Sequence, residues 1–598
     1  MRHSPKTLNT VEPGVNGGRL FRPLAAPARQ SRGRGRQGGG WTFGSPASPS
    51  TSLEPGDEGE RPIDHDATIG LGDLRIGRSG RDRARHRDGV LGGAGTRCDA
   101  LALDIARQPS VTSRTSRASV LTDGVGFFDD GLGAPSRRRA VMGIVSEQPG
   151  IADVARGRLS REALEANFAD LHPPLSAHEA RIEADRCYFC YDAPCVRACP
   201  TAIDVPLFIR QIAAGNRLGA ARTILDANIM GGMCARVCPT DTLCEQACVR
   251  EAAEGQPVRI GRLQRYAVDA QMEAGKNPFD RAAPSGKRVA IVGAGPAGLA
   301  CAHALAVAGH EVTIFEAREK SGGLNEYGIA AYKTPDDFAA KEVAFILSIG
   351  AVTVKHGVAL GRDVSLEALR SDHDAVFLGL GLGATNKLGL AGEGELANVI
   401  DAVDYIADLR QAKDLSKLAV GRRVLVIGGG MTAVDVAVQS KLLGADRVTI
   451  AYRRGTHQMK ASRFERRLAQ TSGVLIRPWA RPVALESHGG AASGALFERT
   501  REEAGALVGA GRAYRVEADV VFVAIGQKAA PEALGGTEVQ CDKDGRLVVD
   551  EERRTSLAGV WAGGDCVAGG LDLTVRAVED GKRAARSIDS ALRSKAQS

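Results

Sequence analysis

The run K-R-V-A-I-V-G-A-G-P-A-G-L-A (287–300) decides the fold. A short apolar strand turns straight into a helix through glycine, with no loop between them. Gly293, Gly295 and Gly298 fit G-x-G-x-x-G. The first permits the tight turn, the second lets the backbone approach a pyrophosphate, and the third lets helix pack on strand. The pyrophosphate then rests on the helix N-terminus, where free N–H groups and the helix dipole favour anions. The next strand, H-E-V-T-I-F-E (310–316), ends in Glu316, 23 residues past Gly293 and placed to bind ribose hydroxyls. Strand, glycines, helix and acid together specify dinucleotide binding, which a glycine motif alone does not.

Working outward, R-R-V-L-V-I-G-G-G-M-T-A-V-D-V-A (422–437) repeats the pattern with Gly428, Gly430 and Ala433. Its following strand, R-V-T-I-A-Y-R-R (447–454), ends in Arg453 and Arg454 where the first copy has an acid. Arginine clasps a 2′-phosphate, which favours NADP(H) over NAD(H). A solvated basic strand end is the competing reading, and NAD(H) stays open. The second copy is inserted in the first. D-A-V-F-L-G-L-G-L-G (374–383) leads out, A-D-V-V-F-V-A-I-G-Q (518–527) leads back, and G-V-W-A-G-G-D-C (559–566) completes the first unit. In that last turn Gly564 and Asp565 meet the ribityl or pyrophosphate of a bound FAD. Thr574 opens a final helix whose N–H groups face the flavin pyrimidine carbonyl, where negative charge grows on reduction.

Upstream, Cys187 to Gln264 holds eight of the 12 cysteines in two runs of four, C-x2-C-x4-C-x3-C-P and C-x3-C-P-x4-C-x3-C. Cysteine-proline runs of this kind hold iron–sulfur clusters. Two structural zinc sites are the competing reading of clustered thiolates. The cysteine-proline endings, and a flavin that needs an electron outlet, favour iron. Between and around the runs, apolar residues recur at three- and four-residue spacing over 203–216 and 218–228, with Gly215 and Asn216 at the break. Ser160 reads as a helix cap, and a second helix is expected from Ser176 to Asp185, delivering Cys187. Cys98, Cys301 and Cys541 have no neighbours at ligand spacing, and Cys301 reads as a packing residue of the first Rossmann helix.

The expected architecture is therefore α/β. Residues 142–280 form an all-α domain built on two [4Fe–4S] clusters. Residues 281–398 and 515–598 form the two halves of an FAD domain, and 399–514 an inserted NAD(P) domain. Residues 1–141 are rich in Arg, Gly, Ser and Pro, carry 22 Lys+Arg against 15 Asp+Glu, and read as a disordered extension. Only Lys6 among those basic residues is lysine, as expected of a GC-rich upstream region read through by mistake, and Met142 reads as a start. The remaining 56 basic and 56 acidic residues cancel, so the body offers no electrostatic case for a nucleic-acid or membrane partner. A nucleic-acid role would rest on the R-G-R-G-R arm alone. With no long apolar run and no secretory signal, the expected location is the cytoplasm.

Over 142–598 these motifs resemble the flavin–iron–sulfur subunit shared by bacterial dihydropyrimidine dehydrogenase and the small subunit of glutamate synthase. The resemblance implies that Cys187, Cys190, Cys195 and Cys248 hold one [4Fe–4S] cluster. Cys199, Cys238, Cys244 and Gln264 hold the other, and Cys234 is left unligated. A glutamine ligand is characteristic of the dihydropyrimidine dehydrogenase branch. Implied is an electron-input subunit passing electrons from NAD(P)H through FAD and the clusters to a partner that carries FMN and reduces uracil or thymine. No side-chain nucleophile is expected, because the cofactors carry the chemistry. The rival readings are the glutamate synthase small subunit, a related ferredoxin-type NAD(P)H oxidoreductase, and a redox sensor or docking module without turnover. A chain lacking 1–141 is expected to retain full activity and its flavin, checked by activity and flavin content of the truncated protein.

Overall fold

A computed structural model describes residues 153–595; the readings made for 1–141 and for Met142 lie outside the described residues. The chain enters through a short antiparallel pairing of Val154–Ala155 with Val420–Gly421, then runs into helices. Helix α1 (Arg161–Asn167) is capped by Ser160, whose Oγ accepts from the Ala163 N–H at 3.2 Å. Helix α2 (Ala177–Asp185) starts with a full capping box between Ser176 and Glu179. Helices α3 (Val205–Ala213) and α4 (Arg217–Ala227) are separated by Gly215 in the left-handed region (φ +80°) and by Asn216, which caps the second through the Gly219 N–H. The break read from the sequence is thus where the backbone needs glycine. Helices α5 (Gly231–Val237) and α6 (Ile260–Glu273) finish the layer.

This helical layer does not stand alone. Phe208, Ile209, Ile224 and Leu263 share one apolar cluster with Val289, Ile291, Leu299 and Ile588 of the unit that follows. The two [4Fe–4S] clusters expected as its inner scaffold are corrected here. Among the described residues, no group of three or more His, Cys, Asp or Glu side chains is disposed to hold a metal ion. Close-packed apolar side chains hold these helices, and the same core continues into the sheet behind them.

The first sheet contains β1 (Arg288–Val292), β2 (Glu311–Glu316), β3 (Val352–His356) and β4 (Ala375–Leu378). After β4 the chain crosses to a second sheet of β5 (Val399–Asp401), β6 (Arg423–Gly428), β7 (Arg447–Ala451), β8 (Val474–Arg477) and β9 (Val520–Ala524). It then returns to place β10 (Val560–Ala562) at the edge of the first. The sheet orders are β10-β4-β1-β2-β3 and β8-β7-β6-β9-β5, and every pairing in both is parallel. The outgoing and returning chains run side by side, pairing Ala384–Thr385 with Gln527–Lys528. Two parallel sheets with apolar residues on both faces are the doubly wound arrangement that the repeated strand–glycine–helix units specify. An antiparallel sheet, led by Ala480–His488 and Ala491–Glu503, is added to the second unit; no motif in the sequence marked it.

Two buried polar contacts join these parts. Lys333, 7% exposed, lies between Asp435 (2.6 Å) and Glu465 (2.7 Å) of the second unit. Burial alone would lower its pKa, but the two carboxylates outweigh burial and hold it above the usual lysine range. Glu342, fully buried on the helix Phe338–Leu347, accepts from the N–H groups of Gly232 (2.8 Å) and Met233 (3.0 Å) at the start of α5. Burial pushes its carboxyl up to about 7. Because the folded value lies above the unfolded one of 4.5, this group's stabilisation is complete below that value and is lost as pH rises to about 7. Glu342→Gln keeps an acceptor for both N–H groups and removes the titration. The wild-type chain should lose about 3 kcal/mol relative to this variant between acid and neutral pH. Unfolding midpoints of the two proteins across that range check the difference; parallel curves would refute it.

Candidate dinucleotide cavity and the cysteine layer

A single cavity of about 1170 Å³ is lined by both glycine turns, Gly293–Gly295 and Gly428–Gly430, and by Gly563–Asp565. Gly293 sits at φ +96°, and a Cβ there would meet the carbonyl oxygen of Gly379. A Cβ on Gly298 would meet the Gly293 carbonyl, so the close approach of helix to strand needs glycine at both places. Gly295 differs. Its backbone (φ −78°) suits any residue, and the nearest heavy atom to a Cβ is the Gly323 Cα at 3.9 Å. The open cradle in front of it faces the N-terminus of the helix Pro296–Val307. Protein atoms do not require glycine there; the close approach of a bound pyrophosphate would.

The other predicted residues fall as follows. Glu316, buried at the end of β2, accepts from the N–H groups of Ala294 (2.7 Å) and Arg318 (2.8 Å), so it braces the first turn as well as lining the cavity. Asp565 lines the cavity with Oδ1 buried and without a hydrogen-bond partner. Burial, then repulsion from Asp572, pushes its carboxyl up to about 7. Thr574 begins the final helix, Thr574–Lys595, and its Oγ1 donates to Asn325 Oδ1 at 2.7 Å. In the second turn Gly428 and Gly430 face the cavity, while Ala433 is fully buried in the helix Met431–Leu442 and serves packing. Arg453 and Arg454 are exposed on the cavity wall with Lys460, and the side chains of all three take part in no hydrogen bond or ion pair among the described residues.

Sequence reasoning missed Lys460, Arg481 and Asn325, all of which line this cavity. A cation seven residues past Arg453 carries no periodic signal. Arg481 comes from the unmarked antiparallel sheet and is paired with Glu498. The Gly322-Gly323 pair, both at positive φ, was the available pointer to Asn325. The oxidoreductase chemistry this cavity can host is hydride exchange between two bound dinucleotides.

The cysteines divide in space. Cys187, Cys190, Cys195 and Cys248 line one small pocket with Tyr188 and Val249. Burial raises the Cys187 thiol and pushes Cys195 up to about 12. Cys238 is raised by its contact with Cys234 and then by burial, with Cys244 and Cys199 close enough to add to the shift. Asn228 Nδ2 donates to Cys234 Sγ at 3.1 Å, and Cys199 Sγ lies 3.4 Å from Thr201 Oγ1. Gln264 Nε2 is bonded to the Gly231 carbonyl at 2.7 Å. Metal ligation needs converged, deprotonated thiolates. No group of three or more such side chains disposed to hold a metal ion is found among the described residues. That finding overturns the iron–sulfur, 4Fe–4S and metal-binding readings. Nor is any helix among the described residues long and apolar enough to cross a membrane.

Residues 164–276 match the family model described as dihydropyrimidine dehydrogenase domain II, 4Fe-4S cluster, and residues 287–581 match pyridine nucleotide-disulphide oxidoreductase. The cluster is a property of the first description, not of any residue group found here. The chain is 36% identical over 423 residues to the NAD-dependent dihydropyrimidine dehydrogenase subunit PreT of Escherichia coli K12, covering 71% of this chain and 97% of that one. It is 34% identical over 443 residues to the small chain of NADPH glutamate synthase from the same strain, covering 70% and 93%. Among solved structures, Mycobacterium tuberculosis FprA in complex with NADPH aligns at 17% identity with a TM-score of 0.45, over 52% of this chain and 85% of that one.

Gly295→Val should give a folded chain that no longer retains flavin. The expected result is wild-type circular dichroism with FAD affinity reduced about tenfold or more. Visible flavin absorbance after gel filtration checks it, and a yellow variant would remove Gly295 from the pyrophosphate site.

Proposed function

The chain belongs to the family of PreT subunits and glutamate synthase small chains and is an FAD- and NAD(P)H-dependent electron-transfer oxidoreductase; on that premise we propose that it is the electron-input subunit of a dihydropyrimidine dehydrogenase. In this reading it takes reducing equivalents from a nicotinamide dinucleotide and delivers them to a separate FMN-bearing subunit that reduces uracil or thymine. The observation that carries it is the match along 97% of PreT, whose name states both its dehydrogenase and its status as a subunit.

The residues present fit FAD and a nicotinamide dinucleotide. Gly293, Gly295 and Gly298 with the helix behind them take the FAD pyrophosphate, Glu316 the ribose, and Asp565 and Thr574 the ribityl and ring end. Bound FAD supplies the ability to accept a hydride and release electrons singly. Gly428 and Gly430 take the second pyrophosphate. Arg453 and Arg454 line the same cavity and would clasp a 2′-phosphate, which favours NADP(H) and leaves NAD(H) open, the dinucleotide that the name of PreT states. The protein binds and orients; no side chain acts as a nucleophile.

The second reading, the electron-input chain of a glutamate synthase, is favoured by the nearly equal match to that small chain. One experiment separates the two. The purified chain, with NADPH or NADH, is mixed either with an FMN-bearing pyrimidine reductase subunit and uracil, or with a large amidotransferase subunit, glutamine and 2-oxoglutarate. The expected outcome is nucleotide oxidation matched by dihydrouracil in the first mixture. Glutamate formation in the second, with none in the first, would replace the proposal.

A further inference from the structure

Asn325 is 1% exposed, lines the dinucleotide cavity, and has a buried side-chain Nδ2 with no hydrogen-bond partner. Its other amide atom is committed, because Oδ1 accepts from Thr574 Oγ1 at 2.7 Å. Leaving a buried donor unmade costs on the order of 1–3 kcal/mol, so a fixed amide in that state points to an acceptor supplied from outside the chain.

Its location narrows what that acceptor is. Asn325 lies two residues past Gly323, which packs against the Gly295 turn, so it borders the first glycine cradle. It also touches the second unit. Arg410, on the helix Ala402–Gln411 that follows β5 and with its side chain 6% exposed, donates to the backbone oxygens of Glu326 (3.0 Å) and Asn325 (3.5 Å) and to the Thr334 carbonyl (3.2 Å). Hydride exchange can occur only where the two units' ligands meet, and Asn325 is held at that meeting place by contacts to both. Glu316, which marks the ribose end, has no contact of this kind with the second unit.

We infer that Asn325 is a positioning residue for the flavin ring: its Nδ2 donates to an acceptor atom of the isoalloxazine, Thr574 fixes the amide in the donating orientation, and Arg410 couples its placement to the nicotinamide-binding unit. The inference rests on FAD occupying this cavity. A donor at the ring favours the reduced flavin, on which negative charge accumulates, so its loss should make reduction harder.

The test uses the full chain as purified with FAD. Asn325→Leu removes the donor at similar volume. Thr574→Val frees the amide, and Thr574→Ser keeps the tether as a control. Expected for Asn325→Leu are displaced visible flavin bands, a lowered flavin midpoint potential by dye equilibration, and an FAD dissociation constant raised about tenfold. Thr574→Val should move the same readouts in the same direction and Thr574→Ser should restore them. If Asn325→Leu does not fold, the Val and Ser pair at Thr574 decides. Flavin spectra and potentials unchanged in Asn325→Leu, or in Thr574→Val where only that pair folds, overturn the assignment while leaving FAD in place. A wild-type chain that binds no FAD would instead sink the reading beneath it.

Discussion

The ammonium of Lys333 between Asp435 and Glu465 is the contact on which the shape of the cavity depends. It joins the segment between β2 and β3 of the first Rossmann unit to two helices of the second, deep enough that water does not screen it. A buried charge of this kind stabilises only with its partners in place, and removing one partner leaves an uncompensated ion. The surrounding contacts repeat the tie. Tyr332 Oη donates to Asp435 at 3.4 Å, the Ala331 N–H to Gln439 at 3.0 Å, and Arg410 reaches back to the chain carbonyls of 325, 326 and 334. Two sheets that the chain connects by only two crossing strands are thereby held facing each other across one cavity.

That arrangement explains the division of labour along the walls. The first turn is braced by its own acid, Glu316, and leaves Gly295 bare for a pyrophosphate. The second turn has no such acid, and its neighbouring strand ends in cations that the protein does not neutralise. The two walls thus differ in charge, which is the difference that the proposed assignment of FAD to the first and NAD(P)H to the second rests on.

The glycine turns, both Rossmann units, the insertion of one in the other and the Ser160 cap were legible in the residues, because each rests on local geometry; the caps at Asp204, Ser365, Asp401 and Ser462 were not read. Gly215 and Gly293 occupy positive φ, and Ser160 caps its helix through a hydroxyl three residues from its target. The cysteine layer was misjudged for the opposite reason. Cysteine spacing brings Cys187, Cys190, Cys195 and Cys248 to one pocket but does not say that they hold a metal ion. Here an apolar core shared with the first sheet holds the helices. Asn325 and Lys460 were missed because neither belongs to a periodic or spaced pattern; their roles come from what folds around them.

By itself the sequence determined that two nucleotide-binding units exist, where each begins, and which strand ends carry acid or base. Those features follow from steric limits on φ and ψ and from strand and helix periodicity, which act within a few residues. Only the tertiary structure decided that the two turns open onto one cavity, that Lys333 and Arg410 tie its walls together, and that Asn325 presents an unused donor inside it. The physical reason is that burial and charge pairing are properties of residues brought together from more than 70 positions apart, as Arg410 and Thr334 are.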